Sequence, residues 1–374
     1  MQHAPFGAGM RNELRASQAP PRTLWIDTAR GLGIILVVYG HVLRGQFHAG
    51  LLAWAPAVEL QDRAIYAFHM PFFFLLSGLF AGAQIRSRGA FVRRRLVTIV
   101  YPYILWSVVQ TVLTMGAGHL ANGHHSLSDL ERIGTDPIGQ FWFLYVLAML
   151  QLLLLLPRSI FLLMVPVGVT VFLIFGGGPL LARAGWFLPF FATGVLLGRS
   201  GLEAALRTPG AAIAWLVGGG IAFAALLAAM PLLSGLPAAL AQYAVAGAGI
   251  VAALGLARLF GDRIALLPAL GMASLAIFVL HVICAAAMRA GLEHIGVGQP
   301  VIAVLLITAG GLLIPLAIYK ASIATRLTPW LGLGYPPRTP LPAPVLALPE
   351  YRPLEPAGRN ADVGSDQARG PAFQ

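Results

Sequence analysis

The first long apolar run of the chain carries two side chains whose types and spacing could support chemistry, Arg30 and His41. They are eleven residues apart, and eleven steps of about 100° return an α-helix to nearly the same face. At a rise of about 1.5 Å per residue, His41 lies roughly 16 Å along the helix from Arg30. Because imidazole titrates near neutral pH, His41 could take a proton from an alcohol as a general base.

Other polar side chains continue the same face of this helix. The face is a stripe about 100° wide that comprises Asp27, Arg30, Ile34, His41, Arg44 and His48. A helix that faced lipid would not carry this stripe, so we expect it to face protein or a water-filled cavity. Two interpretations stay open: a catalytic His41, or a structural arrangement in which Asp27 pairs with Arg30 and His41 hydrogen-bonds a neighbouring helix.

Two further histidines lie in apolar segments. His69 begins HMPFFFLLSGLF, and His281 ends SLAIFVLH. An isolated buried histidine is usually structural, so both are weaker candidates for a catalytic role than His41, which shares its face with two arginines.

The segment after the second apolar run is strongly basic. It contains Arg86, Arg88, Arg93, Arg94 and Arg95. Such a cluster is typical of a cytoplasmic loop that sets membrane orientation. It would also attract an anionic, phosphorylated ligand, so both interpretations stay open.

Metal and nucleotide chemistry have little support in the sequence. No glycine-rich loop followed by Lys-Ser or Lys-Thr is present, which argues against a phosphate-binding loop. His119, His124 and His125 lie in a polar loop, but their spacing does not fit a zinc site on a helix, so a solvated loop is favoured. The single cysteine, Cys284, excludes an internal disulfide and a cysteine-based zinc site. We therefore predict no metal.

Composition decides which elements must position these residues. Of the 374 residues, 58% are apolar and only 10% are charged, whereas a soluble domain has about 25% charged residues. Segments of 18 or more nearly uncharged residues recur along the chain, and the alternating strands of an outer-membrane barrel are absent. The predicted fold is all-α, that of a polytopic integral membrane protein in a lipid bilayer.

Ten membrane spans are predicted from the apolar runs and their borders. They cover residues 31–50, 64–83, 96–117, 139–156, 159–175, 180–198, 211–230, 237–257, 267–288 and 299–319. A cytoplasmic N-terminal segment, 1–22, precedes the ten-helix membrane domain, 23–326. The Pro-rich tail, 327–374, has too little apolar surface to fold and is predicted to be disordered.

The net charge of +11 is explained by orientation, and we predict no binding of nucleic acid. With ten spans, 20 of the 25 basic residues fall on one side of the membrane. Because Arg and Lys concentrate in cytoplasmic loops, both termini are predicted to be cytoplasmic. Nine or eleven spans would place the termini on opposite sides and remove this asymmetry.

Five segments together resemble the acyltransferase-3 family of polytopic membrane proteins, in particular its fucose 4-O-acetylase-like branch. In that family an Arg, ten residues and a His mark the first helix, and Arg30 and His41 in IDTARGLGIILVVYGHVLRG fit this pattern. The segments FHMPFFFLLSGLF, RRRLVTIVYPY, FWFLYVL and SLAIFVLH resemble later family motifs, in family order. One departure is the family's Arg-x-x-Arg pair, which is replaced here by Arg86-x-Arg88 and the triplet that begins at Arg93.

This resemblance implies transfer of an acyl group, usually acetyl, from cytoplasmic acyl-CoA to a hydroxyl of a surface or exported carbohydrate. It also implies a location in the bacterial inner membrane. His41 and Arg30 would be catalytic, with His69 and His281 as further candidates. The phosphates of acetyl-CoA would contact Arg86, Arg88, Arg93, Arg94 and Arg95.

Two routes for the reaction stay open. His41 would act either as a general base or as an acyl carrier, and Arg44 or the Trp142 indole would stabilise the oxyanion. The rival function from another class is a transporter or exporter of glycans, with the polar stripe as its conduction path. Such carriers often contain paired broken helices in two related halves, and no such symmetry is evident in the sequence.

Overall fold

The computed structural model describes residues 24–81, 85, 87–117, 130–261 and 263–334, and this part of the chain is helical without a β-strand. In chain order the α-helices are α1 (Leu24–His48), α2 (Pro56–Ala81), α3 (Arg88–Arg95), α4 (Tyr101–Ala117), α5 (Trp142–Leu152), α6 (Arg158–Phe175), α7 (Leu180–Ala205), α8 (Pro209–Ala229), α9 (Gly235–Phe260), α10 (Leu266–Met272), α11 (Ser274–His294) and α12 (Pro300–Ala324). A π-helical turn, Leu96–Val100, joins α3 to α4. Short 3₁₀ turns flank α5 at Gly139–Phe141 and Leu153–Leu155.

The all-α fold of a polytopic membrane protein, predicted from the sequence, is confirmed. Nine segments of the described chain are long and apolar enough to cross a membrane, with α3 and α4 counted as one, and Gly139–Leu155 adds a shorter apolar helix. Each of the ten predicted runs corresponds to one of these segments, except that the ninth is divided between α10 and α11 at Ala273.

A large boundary difference is at α2, which begins at Pro56 and not near residue 64. Hydropathy places the start after the charged residues Glu59, Asp62 and Arg63. A proline is well tolerated in the first helical turn, where its missing N–H would have no partner in any case. The two added turns carry Asp62 into the protein, where it is only 7% exposed.

Helix α1 is the centre of the bundle and packs against α2, α9, α10, α11 and α12. Its approach to α10 is close: Gly31 lies against the backbone of Leu267, and Gly271 lies against the backbone of Asp27. A Cβ atom at either glycine would collide with the opposing backbone, so only glycine allows this approach. The contact fixes the end of α1 that carries Arg30.

The π turn between α3 and α4 is explained by Pro102. Proline has no N–H, and its ring would clash with the carbonyl four residues earlier, at Thr98. The wider turn relieves this clash, as π-bulges do elsewhere. It also places Thr98 and Ile99 on the wall of a cavity.

The two predicted terminal segments fall mostly outside the described residues. Residues 327–334 of the assigned tail are described and pack on α4: Trp106 Nε1 donates to the Leu331 carbonyl at 2.9 Å, and the Tyr101 hydroxyl donates to the Trp330 carbonyl at 2.5 Å. Residues 1–22 and 335–374 lie outside the part that the structure describes.

Candidate active site

Two cavities lie along one face of α1. The first, here named the Arg30 cavity, has a volume of about 250 Å³ and is lined by residues of α1, α2, the π turn, α5 and α11. The second, the His41 cavity, has a volume of about 150 Å³ and is lined mainly by α1, α2 and α7. Arg30, Ile34 and Val37 line the first, whereas Val37 and His41 line the second. The polar stripe of the first helix therefore faces cavities inside the bundle.

The two cavities meet at a partition of three side chains. Val37, Met70 and Phe278 line both. A ligand whose end group passed from the Arg30 cavity to this partition would bring that group to the side chains around His41.

The two histidines at α1 and α11, 240 positions apart in the sequence, form a direct hydrogen bond. Nδ1 of His41 lies 2.7 Å from Nε2 of His281, and the ring planes are nearly parallel at 10°. Nδ1 of His281 lies 3.0 Å from the carbonyl oxygen of Ile277 and 2.8 Å from that of Phe278. Since carbonyl oxygens only accept, Nδ1 of His281 carries the proton and its Nε2 is an acceptor.

This network also decides the tautomer of His41. Because Nε2 of His281 accepts, Nδ1 of His41 must donate, and the lone pair of His41 is left on Nε2. A neutral imidazole held in this tautomer is the arrangement that a general base requires, since a third group orients the base. The side chain of His281 is 1% exposed, so the orienting contact is shielded from water.

His69 belongs to the same cavity but has a different environment. Its Nδ1 lies 2.7 Å from the carbonyl oxygen of Ile65, to which it donates, and its ring meets the edge of Tyr66 at a centroid distance of 4.7 Å. It lines the His41 cavity together with Tyr66. The structure therefore brings His41, His69 and His281 together. The sequence identified all three as candidates but could not predict that they lie close to one another.

Arg44 is held by an ion pair at one end of the site. Its Nε and one terminal nitrogen donate to Asp62 at 2.6 and 2.9 Å, and its Cζ lies 3.2 Å from the centre of the Tyr66 ring. This fork matches a carboxylate in both position and charge. The residues that line the His41 cavity include Tyr66 but not Arg44. Arg44 therefore affects this cavity indirectly, through its contacts with Tyr66 and Asp62.

An aromatic wall completes the His41 cavity. The Trp142 indole stacks on Phe187 at a centroid distance of 5.3 Å, and the Arg183 guanidinium lies 5.2 Å from the Trp142 ring centre. Trp186 and Gln140 line the same cavity, and Gln140 is anchored by a reciprocal pair of amide hydrogen bonds to Gln110 at 2.8 and 3.3 Å.

At the opposite end, the Arg30 cavity has two arginines in its wall. Arg30 contacts Asp27 at 3.4 Å and lies 4.7 Å from the centre of the Phe80 ring. Arg95 is buried at 9% exposure and lies 4.7 Å from the Phe91 ring centre. Both line the Arg30 cavity.

The other members of the predicted basic cluster lie elsewhere. Arg88, Arg93 and Arg94 are exposed and do not line the Arg30 cavity. Arg86 lies outside the described residues. Of the four arginines in this cluster that the structure describes, only Arg95 lines the cavity.

The lining or supporting residues that were not found from the sequence include Asp62, Tyr66, Gln140 and Gln151. Asp62, Tyr66 and His69 are spaced at i, i+4 and i+7 and thus share one face of α2. The sequence contains this pattern, but the predicted span began at residue 64 and therefore left out Asp62. Gln151 is a polar residue in the apolar run LAMLQLLLLL.

Among the described residues, no group of three or more His, Cys, Asp or Glu side chains could hold a metal ion. The loop with His119, His124 and His125 lies outside these residues. That these histidines belong to a solvated loop and not to a zinc site therefore stays a prediction.

Comparison with known proteins gives one domain match and two matched relatives. The sequence profile of the acyltransferase domain (acyltransferase-3) matches residues 23–320. The nodulation protein NolL of Sinorhizobium fredii is 31% identical over 129 residues, and that of Mesorhizobium japonicum is 30% identical over 126 residues. Each alignment covers 33% of this chain and 33% of the relative. No solved structure matches the chain at a significant level.

Proposed function

The chain belongs to the acyltransferase-3 family, and from that premise we propose that it moves an acetyl group from acyl-CoA to a carbohydrate hydroxyl. The observation that most supports this proposal is the His41–His281 pair beside the partition between two cavities. A base at the meeting point of two cavities suits a reaction between two substrates that enter from different sides.

The Arg30 cavity suits the donor. Its arginines, Arg30 and Arg95, offer positive charge to phosphates, and its remaining wall is mostly apolar, which suits a long thin arm that carries a thioester. The role of Arg30 is then to hold the donor, since Arg30 lies roughly 16 Å along α1 from His41.

The His41 cavity suits the acceptor. Its wall combines the aromatic rings of Tyr66, Trp142 and Trp186 with the amide of Gln140 and two histidines. A carbohydrate presents both apolar ring faces and hydroxyl groups, and this mixture of aromatic and hydrogen-bonding side chains matches both.

The chemistry follows from the tautomer of His41. Nε2 of His41 takes the proton of the acceptor hydroxyl while the hydroxyl oxygen attacks the thioester carbonyl carbon. A carbon–oxygen bond forms, the carbon–sulfur bond breaks, and the thiolate of CoA leaves and receives the proton from His41. His281 accepts from Nδ1 of His41 throughout and stabilises the positive charge that His41 gains.

Of the two candidates for stabilising the oxyanion, Trp142 is better placed than Arg44. Trp142 lines the His41 cavity, whereas the charge of Arg44 is paired with Asp62 at 2.6 Å. An indole N–H directed at the developing negative charge would act as a preorganised donor.

The proposal is tested by incubating purified protein with acetyl-CoA labelled in the acetyl group. Label transferred to an added oligosaccharide, or released as acetate with free CoA, supports an acyl-CoA-dependent enzyme. A glycan transporter would release neither product, and intact acetyl-CoA with every acceptor class would contradict the proposal.

The donor site gives a prediction about binding. Arg95→Gln should raise the KM for acetyl-CoA by about tenfold and change kcat little, because a phosphate contact acts equally in ground and transition states. Arg93→Gln, an adjacent exposed arginine, is the matched control and should leave KM within about twofold of wild type. Equal KM values in the two variants would place the donor elsewhere.

The orientation of the bundle gives a second prediction. Reporter fusions after Ala90 and Glu203 should report the cytoplasm, because these positions lie on the side with the excess of arginines. A fusion after Gly296 should report the opposite side. A cytoplasmic signal from Gly296 would reverse the assignment of donor and acceptor cavities.

A further inference from the structure

Gln151 places a buried polar group in the wall of the Arg30 cavity. The residue is 4% exposed, and its side-chain oxygen Oε1 has no hydrogen-bond partner among the described residues. It lines the cavity together with Phe143, Leu144 and Leu147 of the same helix. The proposed reaction at His41 does not use this group.

A buried carbonyl oxygen without a donor is rare in a folded protein. Folding removes water from the oxygen, and no protein N–H or O–H replaces it, so the group is costly unless a ligand or an ordered water donates to it. A cavity beside such an oxygen is therefore suited to a ligand that carries an N–H or O–H donor.

The position of Gln151 along the cavity narrows the choice of ligand. Phe143 marks the partition end, since its ring packs on Phe278 at a centroid distance of 5.3 Å. Gln151 follows Phe143 by eight residues, which is about 12 Å along α5 toward the other end. A ligand must therefore reach past Gln151 to bring its reactive end to the partition.

The wall of the Arg30 cavity is largely apolar apart from its arginines and Gln151. It includes Leu76, Phe73 and Leu147, with hydroxyls at Ser77 and Thr98. A flexible chain of methylene groups with an amide part-way along it fits this combination. An acyl phosphate or an acyl lipid has no N–H at that place and would leave the oxygen of Gln151 without a partner.

We propose that Oε1 of Gln151 accepts a hydrogen bond from an amide N–H of the pantetheine arm of the donor, so that Gln151 selects amide-containing thioesters. This assignment rests on the proposed function, because it assumes a CoA thioester in the Arg30 cavity.

The test compares two variants with ligands that differ by one N–H group. The ligands are CoA and two CoA analogues in which one or the other pantetheine amide is replaced by an ester, and binding to detergent-solubilised protein is measured by calorimetry. Gln151→Leu should bind CoA about fivefold to fiftyfold more weakly than wild type, since a buried acceptor is lost. Wild type should lose a similar factor with one of the two ester analogues.

The decisive result is the coupling between the two changes. In Gln151→Leu, the sensitive ester analogue and CoA should bind equally, because the oxygen that distinguishes them is gone. Gln242→Leu, the same substitution at an exposed position of α9, should bind all three ligands as wild type does. Gln151→Leu should be no less stable than wild type without ligand, since it removes an unsatisfied carbonyl; Gln151→Met serves if the leucine variant does not fold.

Two outcomes overturn the assignment in different ways. If wild type binds CoA and transfers acetyl groups, but Gln151→Leu still distinguishes the ester analogue from CoA, the N–H bonds another group and only the role of Gln151 fails. If wild type binds no CoA and releases no label from acetyl-CoA, the proposed function fails and the assignment fails with it.

Discussion

His41→Gln should lower acyl transfer by at least about a hundredfold, the usual contribution of one general base, in a protein that inserts and is as stable as wild type. Glutamine can still donate from its amide to Nε2 of His281, so the packing and the hydrogen bond are preserved. It cannot take a proton from the acceptor hydroxyl. Purified variant and wild type are compared by initial rates with labelled acetyl-CoA and by thermal unfolding.

The control for this prediction is His48→Gln, which changes an exposed histidine on the same face of α1 and should retain wild-type activity. If His41 only packs, the His41→Gln variant should keep activity within about threefold of wild type, and the base would have to be His69 or His281. An inactive and stable variant leaves His41 as base or acyl carrier. Mass spectrometry of wild type quenched during turnover separates these two roles, since an acyl carrier would retain the acetyl group on His41.

The features of α1 that could be predicted are those that depend on local geometry. Arg30 and His41 share a face because helical periodicity relates them over three turns, and the bilayer excludes lipid exposure of such a face. The structure places both residues on cavity walls. The pattern could not indicate that the face borders two separate cavities, since Val37, Met70 and Phe278 come from three helices.

The partner of His41 depends on packing between distant segments. His281 lies 240 residues away, and no spacing rule connects α1 with α11. The sequence could identify His281 as a polar residue in an apolar helix, but its hydrogen bonds to Ile277 and Phe278, which fix the tautomer, are visible only in three dimensions.

The basic cluster shows a different limit. Charge alone identifies a segment but not which side chain turns inward, because successive helical residues point about 100° apart. Arg95 is three and four residues before Thr98 and Ile99, and all three line the Arg30 cavity. These are the i, i+3 and i+4 spacings of one helical face, but the sequence could not show that Thr98 and Ile99 face a cavity, so it could not select Arg95 over Arg93 and Arg94.

Replacing His281 with Leu should lower acyl transfer by about tenfold to a hundredfold, because removing the acceptor of a buried donor costs roughly 1–3 kcal/mol. Nδ1 of His41 would lose its only acceptor among the described residues, and the tautomer with its lone pair on Nε2 would no longer be enforced. His281→Gln should recover part of the lost rate, since its amide oxygen can accept from Nδ1. The rates are measured at saturating acetyl-CoA, with thermal unfolding as the check on folding.

A purely structural His281 would give a different result in the double variant. If His281 acts by orienting His41, then adding His281→Leu to His41→Gln should reduce the residual rate no further, because the base that it orients is already absent. If His281 only supports the packing of α11 on α1, the two losses should multiply. Two results would show that His281 has no part in the mechanism: losses that multiply in the double variant, or equal rates for His281→Gln and His281→Leu. In either case His281 would not be the residue that fixes the tautomer of His41.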